Sequence, residues 1–410
     1  MSSSLHNYSK SDIIADLCGL NLDSIISRDL RTVEFGLLCL SSVLFMGSFN
    51  MIIPELPNYI TQMGGAEYKG LIISLFAFTA ALSRPFSGKL ADLVGRRPVM
   101  IFGALAAAIS SAIYPLISGL FAFFVLRLIH GLSTGFKPTG TTAYLADIIG
   151  DKNRGEALGM LGMAGSVGMA AGPAVGSAIA LNFGLDAMFT VSSLLGFLSA
   201  ACVVFMKESV PSTKKFSAKM LIIKRDEVID KAVFPSSFVM LLATYSFGLA
   251  LTIIPDFSDF LEVKNRGLFF TVMLVSSVIT RLFAGKASDK YGRVNLLLGG
   301  TLALTITMTT LAFTTNQLVF FIGAIFFGIA TGINSPTLFA WTVDLANPKK
   351  RGKAIATMFI ALEVGILLGA LFSAEIYSNN PAGFPLAFGS GAVLALAAFI
   401  YLLIRKRMTL

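Results

Sequence analysis

Charge is scarce in this sequence. Only 13% of its 410 residues are Asp, Glu, Lys or Arg, while 55% are hydrophobic and the mean hydropathy is +0.77. Soluble domains carry roughly a quarter charged residues, so a globule surrounded by water is excluded. Histidine is rarer still: His6 and His130 are too few for a histidine-based metal centre. Cys18, Cys39 and Cys202 are odd in number and unrelated in spacing, which argues against a disulfide framework or a cysteine metal site. No G-x-x-x-x-G-K-[ST] loop occurs, so ATP is not the expected energy source. The opening residues are polar and mixed in charge, and no cleavable signal peptide is expected.

What abounds is the long apolar run, such as "VMIFGALAAAISSAIYPLISGLFAFFVL" (99–126). A bilayer core of about 30 Å needs ~20 mostly apolar helical residues to cross it. A soluble core helix would show a polar face every turn, and these runs show none. Breaks at charged and Gly/Pro clusters place spans near 33–60, 69–92, 97–119, 120–146, 154–182, 184–206, 234–261, 263–288, 292–314, 316–345, 351–378 and 382–405. The expected fold class is an all-α membrane protein of twelve transmembrane helices. Residues 1–32 form an N-terminal segment, 33–206 one six-helix bundle, 207–233 a linker, 234–405 a second bundle and 406–410 a tail.

Orientation follows from the basic residues. With both termini cytoplasmic, only Lys69, Lys264 and Arg266 fall outside, and Arg84, Arg127, Lys137 and Arg281 lie within helices. All other Lys and Arg sit on cytoplasmic segments, as the positive-inside rule requires. The net charge of +9 is therefore a topology signal, and no nucleic-acid partner is expected.

The second half repeats the first at one offset. Gly267 falls on Gly70, Arg281 on Arg84, Gly285 on Gly88, Asp289 on Asp92, Gly292 on Gly95, Arg293 on Arg96, Asp344 on Asp147 and Gly369 on Gly172. One offset held from the second to the fifth span of each half implies two parallel, pseudo-symmetric bundles. In "SRPFSGKLADLVGRR" (83–97), glycines permit a tight turn, and Asp92 can meet Arg96, Arg97 or a helix N-terminus. Such a cluster suits a latch closing the two halves on the cytoplasmic side; the plainer reading is a topology anchor. Asp147 and Asp344 are expected in the same networks.

Gly88, Asp92, Gly95, Arg96 and Arg97, with the degenerate copy Gly285, Asp289, Gly292 and Arg293, resemble the loop motif of the major facilitator superfamily. The resemblance covers essentially residues 33–405. Gly159, Gly168, Gly172, Pro173 and Gly176 resemble that superfamily's antiporter motif, with Ser177 where a second glycine is usual. Their spacing also makes a smooth packing face, and Pro173 offers a bend. Arg127 with Gly131 resembles its helix-four arginine motif, although His130 stands where glutamine is common.

The fourth span carries Arg127, His130, Thr134, Lys137 and Thr141 within a stripe of about 80°, expected to face a water-filled cavity. The alternative is a structural network between helices. Thr331, Asn334 and Trp341 occupy the matching face of the tenth span, where Trp341 is equally an interfacial anchor. Asn50 is a further candidate cavity contact. Glu363 lies roughly 18 Å along its helix from Arg351 among apolar neighbours, where desolvation favours a neutral carboxyl. That suits proton coupling, with Arg127 and His130 as candidate participants; a static ion pair with Arg127 or another helix charge is the alternative. Glu55 and Asp256 follow prolines near the outer surface and suit gate or interface roles, and Arg84 and Arg281 are expected to snorkel to the cytoplasm.

The function expected is secondary active transport of a small solute across the plasma membrane (the inner membrane in a Gram-negative cell), by a monomer that is no enzyme. The scheme is proton-coupled export by alternating access, favouring an anionic or zwitterionic solute, with a proton gradient and no cofactor. Alternatives are a symporter importing a sugar or organic acid, a multidrug exporter, or a transport-dead sensor on the same fold.

Overall fold

The computed structural model describes residues 32–149, 154–210, 212–217, 220, 229–347 and 351–409. The expected N-terminal segment, Thr32 aside, and much of the expected linker lie outside these. Twelve helical spans are long and apolar enough to cross a membrane. They are α1 (Val33–Gln62), α2 (Ala66–Leu93), α3 (Arg96–Leu116), α4 (Leu120–Ile148), α5 (Ala157–Phe183), α6 (Leu185–Val204), α7 (Lys231–Phe260), α8 (Leu268–Tyr291), α9 (Arg293–Ala312), α10 (Gln317–Leu345), α11 (Lys353–Tyr377) and α12 (Pro381–Arg407).

Local chemistry sets several of these ends. Thr32 caps α1 by accepting from Phe35 N at 3.3 Å, and Asn316 caps α10 by accepting from Leu318 N at 2.7 Å. Pro54 gives α1 a 3-10 turn at Ile53–Glu55. Gly95 and Gly292, at φ +124° and +86°, turn the chain between α2 and α3 and between α8 and α9. Only glycine adopts that backbone freely, which explains the paired glycines of the repeat. The eighth span begins later than 263 because Asn265 Oδ1 accepts from Gly267 N at 3.0 Å and holds a turn there.

Packing repeats with the sequence. In the first half α1 packs on α5 and α6, α2 on α4, and α3 on α4 and α6; in the second, α7 packs on α11 and α12, α8 on α10, and α9 on α10 and α12. Small residues let these backbones meet, as membrane interiors require. A Cβ at Gly168 or Gly176 would stand 2.2 or 2.1 Å from the Val43 or Met51 carbonyl of α1. At the equivalent place in the second half, Gly365 and Gly369 press on the Leu241 and Tyr245 carbonyls of α7. Serines add polar glue: Ser41 bonds Ser199, and Ser48 and Ser111 both bond Ser192, tying α1 and α3 to α6. The halves meet along two seams, α2 against α11 and α5 against α8.

Candidate functional site

The seam between α2 and α11 holds a charged pair. Arg84 Nη2 donates to Glu363 Oε1 at 2.7 Å, and the guanidinium lies 4.6 Å from the Phe359 ring centre. Glu363 is 7% exposed, so its charge is stabilised by a partner in the other half of the molecule. Arg84 was expected to snorkel away; instead the carboxylate and the aromatic face draw it inward. Glu363 does not pair with Arg127. Arg84 Nε is buried without a partner among the described residues, which leaves one donor for another acceptor.

At the end of the bundle remote from the described termini, the halves are tied by further ion pairs. Arg266, between α7 and α8, bonds Glu55 of α1 and Asp259 of α7, each at 2.7 Å. Burial works against the Arg266 charge, but the bonds with Asp259 and Glu55 outweigh it and hold its pKa above the ordinary arginine value. Ser177 donates to the other Glu55 oxygen at 2.6 Å, which gives the serine of the glycine motif a definite task. Lys69 of α2 meets Asp256 of α7 at 2.6 Å. Glu55 is only 4% exposed, so this acid is buried and compensated by its partners.

The α5 glycine motif seals the same end. Gly168, Gly172 and Gly176 pack on α1, whereas the opposite side offers carbonyls to the second half. Thr271 Oγ1 donates to Ala170 O at 2.6 Å, and Asn265 Nδ2 to Ala174 O at 3.0 Å. Gly267 approaches so closely that a Cβ would stand 2.0 Å from Pro173 O. Further towards the termini the seam loosens. Around Gly159, Gly162, Gly88 and Gly285 nothing lies within 4 Å of where a Cβ would be. Gly88 and Gly285 therefore do not bring helices together in this conformation.

The polar stripe of α4 turns into the first bundle. Arg127, His130 and Lys137 are 1%, 0% and 1% exposed, which corrects the expectation that they line water. Arg127 donates to Ile72 O at 2.8 Å and Tyr114 Oη at 3.2 Å, and lies over the Phe76 ring. His130 shares a 3.3 Å hydrogen bond with Tyr114 Oη. Lys137 donates to Thr141 at 3.0 Å and faces the Phe45 ring. Thr134, half-buried, bonds back to Gly131 O at 3.3 Å. Even so, Arg127 Nη2, His130 Nε2 and Ser133 Oγ are buried without partners among the described residues.

The α10 face behaves alike. Asn334 is 3% exposed with its amide against Gly300, as Lys137 lies against Gly103. Thr331 bonds Gly328 O at 3.1 Å. Trp341 is buried beneath Arg405, 5.5 Å away, which favours the anchor reading over a cavity contact. Asn50 donates to Met46 O of its own helix at 2.8 Å and packs beside Gly172.

Near the termini, two matching clusters tie loops to helices. Arg96 bonds Asp92 and, at 3.0 Å, Asp147; Arg293 bonds Asp289 at 2.5 Å and Asp344 at 2.9 Å. Asp147 and Asp344 join these networks as expected. The bridge between halves is corrected, however, because each of these bonds stays within its own half. Arg97 donates to the Val203 and Val204 carbonyls at the end of α6, where the helix dipole favours a cation. Glu208, which sequence reasoning missed, accepts from Arg96 N and Arg97 N at 2.9 and 3.1 Å and caps α3. Tyr114 was missed as well, being one tyrosine in an apolar run.

Comparison with known proteins bears on this geometry. The family model described as Major Facilitator Superfamily matches residues 38–264 and 233–409. The multi-drug resistance efflux pump PmrA of Streptococcus pneumoniae is 29% identical over 326 residues, covering 75% of this chain and 79% of the relative. The multidrug resistance protein MdtG of Enterobacter lignolyticus is 25% identical over 378 residues, covering 88% and 89%. Among solved structures, the human organic anion transporter MFSD10 (TETRAN) aligns with a TM-score of 0.70 at 18% identity, over 92% of this chain and all of the other. A peptide transporter POT mutant in complex with sulfate aligns at 0.72 and 16%, over 91% and 94%. These two speak for the fold alone.

Proposed function

The chain belongs to the Major Facilitator Superfamily, and we propose that it works as a proton-coupled exporter whose coupling site is the Arg84–Glu363 pair. It is a multi-pass membrane transporter of a small solute. The finer reading places it in the plasma membrane as a monomer with cytoplasmic termini, drawing on a proton gradient without a cofactor. The distribution of Lys and Arg supports that orientation. The described state is then closed outside by Glu55–Arg266 and Lys69–Asp256, and looser towards the cytoplasm.

One observation carries the coupling role: a buried carboxylate joins the two moving halves through one arginine at 2.7 Å. Ionised, Glu363 holds α2 to α11. Protonated, it gives up the charge-assisted bond and frees Arg84, so proton occupancy changes how firmly the halves hold together. Arg127 and His130 are coupled to this only indirectly, since they anchor α4 to α2 and α3 inside one bundle. The relatives' multidrug names support export of more than one organic solute.

The test is Glu363→Gln in proteoliposomes. The mutant should lose net transport driven by a proton gradient yet retain solute exchange at equal concentrations. A mutant that still concentrates solute against its gradient would make Glu363 a structural partner of Arg84 and sink the proposal.

A further inference from the structure

Arg84 has a symmetry mate whose partners are missing. Arg281 of α8 falls on Arg84 of α2 under the repeat, and the symmetry that sets Arg84 at one seam assigns Arg281 to the other. It lies on the side of α8 that carries Gly267, about 40° from it at 100° per residue. Gly267 and Thr271 of that side touch α5 directly. Under the same offset, Glu363 falls on Ser166 and Phe359 on Gly162. The two groups that neutralise and cover Arg84 are thus a hydroxyl and a hydrogen atom on the facing helix α5.

The consequences are visible. Ser166 spends its hydroxyl on Gly162 O at 2.9 Å, its own helix. Nothing lies within 4 Å of a Cβ at Gly162 or Gly159, so there is room beside this stretch of α5. Arg281 is exposed, and among the described residues it has no hydrogen-bond or ion-pair partner. The α5 span 157–183 contains no acid, and Asp289 on α8 is taken by Arg293. Glu363, the acid at matching depth, is held by Arg84.

We propose that Arg281 is the charge-recognising residue of the transport crevice and selects solutes bearing a carboxylate or another compact anionic group. This rests on the transporter reading above and names its substrate class. A guanidinium presents a fork of donors that fits a carboxylate in a bidentate manner, and low-dielectric walls on either side of a crevice strengthen the attraction. The cations of α4 do not serve this purpose, because they are sealed inside the first bundle. Selection is by one unpaired arginine on the second half, set opposite a cleared stretch of the first.

Purified protein can be titrated with 2-naphthoate, its neutral carboxamide and the cationic 2-naphthylmethylamine, reading thermal stabilisation. Wild type should bind the carboxylate best. In Arg281→Gln that preference should fall by about tenfold, the size of one lost charge-assisted contact, while Arg281→Lys keeps much of it. Ser166→Glu, which rebuilds the carboxylate found opposite Arg84, should cancel the preference with Arg281 still present. An undiminished preference in Arg281→Gln, equal binding of the three probes by wild type, or preference for the amine would overturn the proposal. Counterflow of 2-naphthoate in proteoliposomes is measured separately. Binding selectivity that depends on Arg281 without any counterflow would defeat the transport reading and leave the recognition site standing.

Discussion

Glu55→Gln should open the end of the bundle remote from the described termini. In the described state one Glu55 oxygen accepts from Arg266 and the other from Ser177, at 2.7 and 2.6 Å, with the residue 4% exposed. The amide keeps the shape and one acceptor, so Ser177 retains a partner. What is lost is the ionic part of the bond to Arg266, the contact that crosses between the halves. Hydrogen bonds to charged groups contribute about 1.5–3 kcal/mol, and neutral ones roughly half as much. The closed state therefore loses about 1–2 kcal/mol relative to a state in which these groups are apart and hydrated, a factor of roughly 5–30 in population.

Distances between spin labels report that population. With Cys18, Cys39 and Cys202 replaced by serine, Gln62→Cys and Thr315→Cys place exposed labels on the two halves at that same end. Glu55→Gln should move weight from the short to the long distance by about tenfold, within the range just worked. Asp259→Asn is the matched control: it also loses a bond to Arg266, but that bond lies within the second half and the side chain is 48% exposed. It should leave the distribution nearly unchanged. A Glu55→Gln distribution identical to wild type, or an equal shift in Asp259→Asn, would refute the claim that the cross-half bond is what closes this end.

Two further outcomes follow from the same contacts. Gly176→Ala should destabilise the protein by about 1–3 kcal/mol in a thermal melt, since the added carbon meets the Met51 backbone carbonyl, whereas Gly159→Ala meets nothing and should be neutral. Asp92→Asn should shift stability by less than about 1 kcal/mol, because the carboxylate is 69% exposed, yet slow transport with the protein still in the membrane; a wild-type rate would reduce the loop cluster to a topology anchor.

The spans, the repeat and the charged loop clusters were legible because each leaves a local trace: an apolar run, a glycine at a turn, an arginine four residues from an acid. The partners of Glu363 and Glu55 were not. Arg84 is 279 residues away and Arg266 is 211, and no local spacing links them. The α4 stripe shows a subtler limit. Periodicity separates lipid-facing from other faces, but a bundle interior and a solute crevice are both shielded from lipid. Arg127 and Lys137 were therefore placed on the right side of the helix and in the wrong surroundings. Symmetry held the missing clue, for Lys137 lies on Gly103 as Asn334 lies on Gly300, and a cation matched by an amide in the same packed position is behaving as a core residue.

The two kinds of ionic contact divide the work of alternation. Arg96 with Asp147 and Arg293 with Asp344 each close within one half, so they survive when the halves rock and help to keep each a rigid body. Arg84–Glu363, Glu55–Arg266 and Lys69–Asp256 cross between halves, so they must exchange partners at every turnover. A transporter needs its two end states within a few kcal/mol of each other, and three cross-half ion pairs with no counterweight would trap one of them. An anionic solute on Arg281 supplies such a counterweight at the opposite seam, where α5 carries no carboxylate between 157 and 183. Loading the solute would then favour drawing α8 and α5 together towards the described termini, while a proton on Glu363 would loosen α2 from α11. Adding a carboxylate at Ser166 would then do more than block binding: it would hold that seam closed, and the spin-label distance at the opposite end should lengthen even in the absence of solute.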